Sequence, residues 1–91
     1  MNTVEAKITI VNKLGLHARA AARFVGLAGG FEATIQLSKG ERKVDGKSIM
    51  GVMMLAAGKG SELILYATGN DSAAAITALS ELVADRFGEE Q

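Results

Sequence analysis

From residue 3 to residue 11 the side chains alternate: Val4, Ala6, Ile8 and Ile10 are apolar, Glu5, Lys7 and Thr9 polar. A period of two over that length predicts a strand with one buried face. The period then lengthens. Ala21, Phe24, Val25 and Ala28 fall at i, i+3, i+4 and i+7. That stripe predicts a helix over about 18–28, with Arg19 and Arg23 one turn apart on another face. Gly29-Gly30 follow it, suited to a left-handed helix terminus. Alternation resumes at Phe31, with Ala33, Ile35 and Leu37 on the inner face and Glu32, Thr34, Gln36 and Ser38 on the outer.

Lys39-Gly40-Glu41 reads as a hairpin turn into a short strand, 42–45. After the break at Gly46-Lys47, Ser48 is placed to cap a short helix over 49–57, ended by Gly58-Lys59-Gly60. A fourth strand, 62–68, buries Leu63, Leu65 and Ala67 or the alternate set. Asn70-Asp71 is expected to cap a last helix over about 72–87, with Ile76, Leu79, Val83 and Phe87 as its apolar stripe. Residues 88–91 are polar and read as a frayed tail. The order is β-α-β-β-α-β-α within one domain, 1–91. Hairpin-scale connections and one-sided strands imply the α+β class, an antiparallel sheet with helices on a single face. Pattern alone leaves a ferredoxin-like strand order open.

Composition narrows the chemistry. The chain has 91 residues, 48% of them hydrophobic but only 4% aromatic, so its core is aliphatic. With no cysteine, disulfides and thiolate metal sites are excluded. Glu5 and Lys7 precede any apolar stretch, which does not suit a signal peptide. No uncharged apolar run approaches the roughly 18 residues that span a bilayer. The expectation is a cytoplasmic protein with no membrane partner. Net charge is zero, yet residues 1–60 hold nine Lys/Arg against four Asp/Glu, and residues 61–91 one against six. The positive portion favours an anionic group. Its basic residues are scattered, without the aromatic interleaving that stacks bases, so nucleic acid is not an expected partner.

The sole histidine, His17, lies in that positive portion where the first helix begins. Gly15 lets the chain turn before it. The free N–H groups of the helix start, Ala18 and Arg19 among them, and the fork-shaped Arg19 guanidinium suit a phosphate. One imidazole without Cys or a carboxylate pair cannot complete a metal site, so no metal or other cofactor is expected. No nucleophile elbow supports a Ser-His-Asp hydrolase. Ser48 reads either as a plain N-cap or as a hydroxyl whose phosphate a helix N-terminus would tolerate. In Ile49-Met50-Gly51-Val52-Met53-Met54-Leu55 a two-turn helix carries more apolar side chains than one sheet can cover. The surplus, Met50 above all, is either extra core or an exposed docking patch.

Gly15-Leu16-His17-Ala18-Arg19 with Gly46-Lys47-Ser48-Ile49-Met50-Gly51-Val52-Met53 resembles the HPr family, the histidine-containing phosphocarriers of the bacterial sugar phosphotransferase system. The likeness extends over essentially the whole chain. It implies an open-faced β-sandwich whose four-stranded antiparallel sheet has the order 1-4-2-3, with three helices on one face. It implies a phosphoryl group accepted on Nδ1 of His17 from enzyme I and passed to a sugar-specific enzyme IIA. Arg19 and the backbone of Ala18 and Arg19 would steady the phosphate. Ser48 would be a regulatory site for an HPr kinase/phosphorylase, and Ile49, Met50 and Met53 would form the docking surface. Such a protein is a monomeric, stoichiometric carrier rather than a turnover enzyme. The alternative is a regulatory binding module, either of a nitrogen-type phosphotransfer branch or as a Ser48-phosphorylated corepressor. One departure is Ala20, where many family members have proline; a proline there removes only an N–H without an intrahelical partner, so the exchange costs little.

Overall fold

A computed structural model describes residues 2–91. Strand β1 (Thr3–Thr9) leads to helix α1 (Ala18–Ala28), then to strands β2 (Thr34–Lys39) and β3 (Arg42–Asp45). Helix α2 (Ile49–Met54), strand β4 (Glu62–Thr68) and helix α3 (Ser72–Ala84) follow, and a 3-10 turn occupies Arg86–Gly88. Among the described residues the strands form one four-stranded sheet in the order β1-β4-β2-β3, every pairing antiparallel. This is the α+β order expected from the family likeness, and it removes the ferredoxin-like alternative.

The register explains why the apolar sets agree. Val4 lies opposite Ala67, Ala6 opposite Leu65 and Ile8 opposite Leu63, while Ile35 and Leu37 flank Ala67 and Leu65 from the other side. One face of β4 is thereby lined on both sides by aliphatic side chains, and Leu63, Leu65 and Ala67 are the set it buries. A one-residue slip would turn that whole face to water. Ala20, Ala21, Phe24 and Ala28 of α1, Val52 of α2, and Ala75, Leu79 and Val83 of α3 cover it. On the other face Tyr66 carries the Lys43 ammonium 4.0 Å above its ring and lies 3.3 Å from the Ser38 hydroxyl. Ser38, expected to face solvent, is buried there beneath its neighbours.

Several boundaries differ from the periodicity. The first strand ends at Thr9 rather than residue 11, although Ile10 stays buried and exchanges backbone hydrogen bonds with Gly60 and Ser61. The second begins at Thr34, because Phe31–Ala33 form bends. There the Asp71 carboxylate accepts from the N–H groups of Glu32 and Ala33, both at 2.8 Å. Asp71 is the N-cap residue of α3, but its side chain serves this loop instead of its own helix. Helix α1 ends at Gly29 with φ −63°, so its glycines do not adopt the left-handed terminus.

The short helix stops at Met54, three residues early, and Ala56 takes φ +50°. Two cations hold that end: Arg42 Nη1 donates to Met54 O at 2.8 Å, and Lys39 Nζ lies 3.4 Å from Leu55 O. Positive charge at a helix C-terminus is favourable and satisfies carbonyls that lack intrahelical partners. The last helix stops at Ala84, not Phe87. Arg86 (φ +58°), Phe87 (φ +56°) and Gly88 (φ +80°) then reverse the chain through three successive left-handed residues.

Candidate functional site

Two backbone devices set His17 at the start of α1. Gly15, at φ +67°, turns the chain so tightly against the loop after α2 that a Cβ there would meet Ala57 O at 2.5 Å. Leu16 N–H donates to that same carbonyl at 2.9 Å, and the Leu16 side chain is buried in the core. His17 follows as the N-cap residue, extended at φ −70° and ψ 177°, with no side-chain cap of its own. The backbone ladder begins with Ala21 N–H donating to His17 O at 2.9 Å. The N–H groups of Ala18, Arg19 and Ala20 precede that ladder, as the first amides of a helix must. They provide positive partial charge where an anion can approach.

The imidazole is not isolated. Its Nε2 lies 2.5 Å from Oε2 of Glu89, in a side-chain pair of which His17 keeps 26% exposure and Glu89 12%. The other carboxylate oxygen, Oε1, accepts from Asn12 Nδ2 at 2.9 Å. Asn12 is wholly buried, and Nδ2 also donates to Gly15 O at 2.8 Å, tying the carboxylate to the turn that places His17. The Asn12 donation foremost, with the hydrogen bond and charge of His17 and the charge of Arg19, holds the Glu89 carboxyl below its ordinary value against partial desolvation. Residues 88–91 are therefore docked rather than frayed. Lys13 N–H donates to Gln91 O at 2.8 Å, Phe87 is fully buried, and Arg23 donates to the Phe87 carbonyl.

Arg19 is exposed and lines an open cleft of about 470 Å³ with Lys13, Leu14, Arg23, Gly88 and Glu89. The +5 and −5 halves of the chain meet here. The acidic end of the sequence lies against the basic residues around the histidine, and that asymmetry was the one sequence signal that could have located Glu89. Asn12 gave no such signal. Its role depends on burial, and a polar residue between a strand and a turn ordinarily reads as loop.

The other residues singled out in the sequence gather on α2. Ser48 caps it, Oγ accepting from Gly51 N–H at 3.0 Å. Ile49, Met50 and Met53 are exposed, Met50 at 72%. Met54 on the same helix is exposed as well, as is Leu14 (66%) outside it, both beyond the set chosen from the sequence. Leu14 belongs to the loop that carries His17, and the Leu16–Ala57 hydrogen bond joins that loop to the segment leaving α2. Val52 and Leu55 are the α2-region side chains that turn inward. Among the described residues no group of three or more His, Asp or Glu side chains could hold a metal ion.

Comparison with known proteins agrees with this geometry. The family model for the PTS HPr component phosphorylation site matches residues 4–85. The phosphocarrier protein HPr of Cupriavidus necator is 57% identical over 81 residues, covering 89% of this chain and 91% of that protein. The crystal structure of an HPr from Thermoanaerobacter tengcongensis superposes with a TM-score of 0.93 at 46% identity, covering 97% of this chain and 99% of that one. An HPr dimer from the same organism gives 0.77 at 48% identity, covering 90% and 94%. Sheet order, helix placement and a histidine opening α1 thus coincide with a family match over most of the sequence, and the chain belongs to the HPr family of phosphotransferase-system phosphocarriers.

Proposed function

We propose that this protein carries a phosphoryl group on Nδ1 of His17, receiving it from enzyme I and delivering it to a histidine of a sugar-specific enzyme IIA. The observation that carries this reading is the placement of the only imidazole at the N-cap of α1, beside unladdered amides, with Arg19 in the first turn of the same helix. In acceptance, the Nδ1 lone pair forms the N–P bond while the donor's bond to phosphorus breaks, its electron pair returning to the donor. Delivery reverses this toward the acceptor. The amides of Ala18 and Arg19 and the Arg19 side chain offer donors to the phosphoryl oxygens. Partner proteins supply the remaining alignment, so the chain acts as a stoichiometric carrier rather than a turnover enzyme.

The exposed surface of Ile49, Met50 and Met53, on the helix whose exit is tied to the His17 loop by the Leu16–Ala57 hydrogen bond, supports docking of those partners. Flexible methionines repack against more than one surface. Ser48 is the proposed regulatory site, for an HPr kinase/phosphorylase. A phosphate there would add roughly two negative charges next to the docking residues, at a helix end that tolerates them. The proposed address is cytoplasmic; no described helix is long and apolar enough to cross a membrane. The proposed state is a monomer of 9.5 kDa, and light scattering on the eluted protein would distinguish it from a dimer.

Intact-mass analysis after incubation with enzyme I, phosphoenolpyruvate and Mg²⁺ tests the central claim. Wild type should gain one acid-labile phosphate and His17→Ala none. A phosphate retained by His17→Ala, or absent from wild type, would refute it.

A further inference from the structure

The segment after α3 is held in place by more than its own chemistry requires. Three left-handed residues reverse it, Phe87 anchors it in the core, and Arg23 and Lys13 fasten the backbone on either side of Glu89. The residue so delivered makes two contacts, one oxygen to Asn12 and one to His17. Asn12 cannot turn over to do something else. Both Nδ2 protons are committed to oxygens, and the flipped amide would set an acceptor against two acceptors. Glu89 also lies four residues beyond the stretch matched by the family model.

We infer that Glu89 is a positioning residue for phosphoryl transfer: it fixes His17 as the Nε2–H tautomer and leaves Nδ1 as the nucleophile, while Asn12 holds its carboxylate in place. The inference rests on the reading of His17 as the phosphoryl acceptor. An ionised carboxylate is acceptor-only, so a ring nitrogen 2.5 Å from it carries the proton. In the neutral ring the other nitrogen, Nδ1, then holds the lone pair. A carboxylate behind a working histidine plays this part in hydrolases and metal sites, where it sets both tautomer and ring orientation.

The same contact serves the transfer itself. When Nδ1 forms its bond to phosphorus, Nε2 keeps its proton and the ring becomes cationic, with its charge facing the Glu89 carboxylate. On delivery the electron pair of the N–P bond returns to Nδ1, and the proton at Nε2 never leaves. Glu89 touches neither the phosphoryl group nor a partner in this scheme. It acts through the imidazole.

Two measurements on wild type, Glu89→Ala and Glu89→Gln test this, after thermal melts establish that all three are folded. The first is the nitrogen NMR spectrum of the unphosphorylated His17 ring in mildly alkaline solution. The second is steady-state phosphorylation by enzyme I and phosphoenolpyruvate. Wild type should show Nε2 protonated and its proton protected from exchange. Glu89→Ala should lose that protection, populate the other tautomer, and drop in kcat by roughly tenfold or more, the scale seen when such supporting partners are removed. KM for the carrier should be unchanged, whereas loss of a docking contact would raise it. Glu89→Gln has one acceptor oxygen where Glu89 uses two. With that oxygen on Asn12 its NH2 group faces Nε2, so it too should lose the Nε2 proton's protection and fall in rate with Glu89→Ala. Phosphorylated wild type with an unchanged ring spectrum and rate in Glu89→Ala would overturn this inference alone. Absence of phosphate on wild-type His17 would overturn the carrier reading and this inference with it.

Discussion

Replacing Gly15 by alanine should damage the site more than any other small change of the backbone. Two costs add at this position. The residue sits at φ +67°, where a Cβ costs roughly 1–2 kcal/mol. The new methyl would also meet Ala57 O at 2.5 Å and Gly58 Cα at 2.8 Å, both backbone atoms that no rotamer change can move. Relief requires the two loops to part, which weakens the Leu16–Ala57 hydrogen bond, worth about 0.5–1.5 kcal/mol net. The sum is about 1.5–3.5 kcal/mol. For a domain of this size each kcal/mol lowers Tm by about 4–8 °C, so a fall of roughly 15 °C is expected.

Gly40→Ala is the matched control. Gly40 has nearly the same φ, +60°, but open space around its Cα, so it bears only the dihedral cost. Differential scanning calorimetry of both variants separates the contact from the conformation. Phosphorylation by enzyme I adds a second readout: parting the loops moves the peptide that places His17, so Gly15→Ala should transfer more slowly and Gly40→Ala at the wild-type rate. Equal melting temperatures for the two variants would refute the argument that the Gly15–Ala57 approach holds the site together.

Three further outcomes follow from the geometry. Ser48→Ala removes the acceptor for Gly51 N–H and should cost about 0.5–2 kcal/mol, read as a lower denaturant midpoint with faster hydrogen exchange at Gly51. Phe87→Ala empties a fully buried ring site, should cost about 3–5 kcal/mol, and should release residues 88–91, seen as loss of exchange protection at Lys13, whose N–H donates to Gln91. The Asp71 carboxyl is held below its ordinary range, chiefly by the Glu32 N–H. A depressed carboxyl stabilises the folded state above its unfolded pKa and loses that contribution as pH falls through the folded value. Asp71→Asn should therefore flatten the loss of stability with acid below about pH 5; an unchanged pH profile of the denaturant midpoint would contradict this.

Where a single face decided the structure, the sequence was sufficient. The observed bounds of α1 and β4 match those the pattern predicts, and three of the four stripe residues of α1 are buried, with Ala20 taking the place of the half-buried Val25. Position 17 was conspicuous for a local reason too: a lone histidine between a glycine turn and a helix start. Errors arose where a distant group competed. Asp71 looked like a helix cap, but the bent chain at Glu32 and Ala33 offered two N–H groups at once. The end of α2 was set by Arg42 and Lys39 from the neighbouring hairpin, which take up the carbonyls at Met54 and Leu55.

The last residues show the division most clearly. Periodicity carried α3 through to Phe87, because Phe87 lies on the same stripe as Val83 and is indeed buried. It reaches the core by a different route, through left-handed residues that no hydrophobic pattern encodes. The sequence by itself determined the element order and the histidine at a helix start, since each follows from neighbours within a few residues. The inward face of β4, by contrast, was decided by its pairing with β1 and β2. Tertiary structure decided that Asn12 and Glu89 join His17. Residues 72 and 77 positions apart are not linked by any local period. They meet because the folded core fixes Phe87, and because the acidic end of the chain finds its opposite charge around the site.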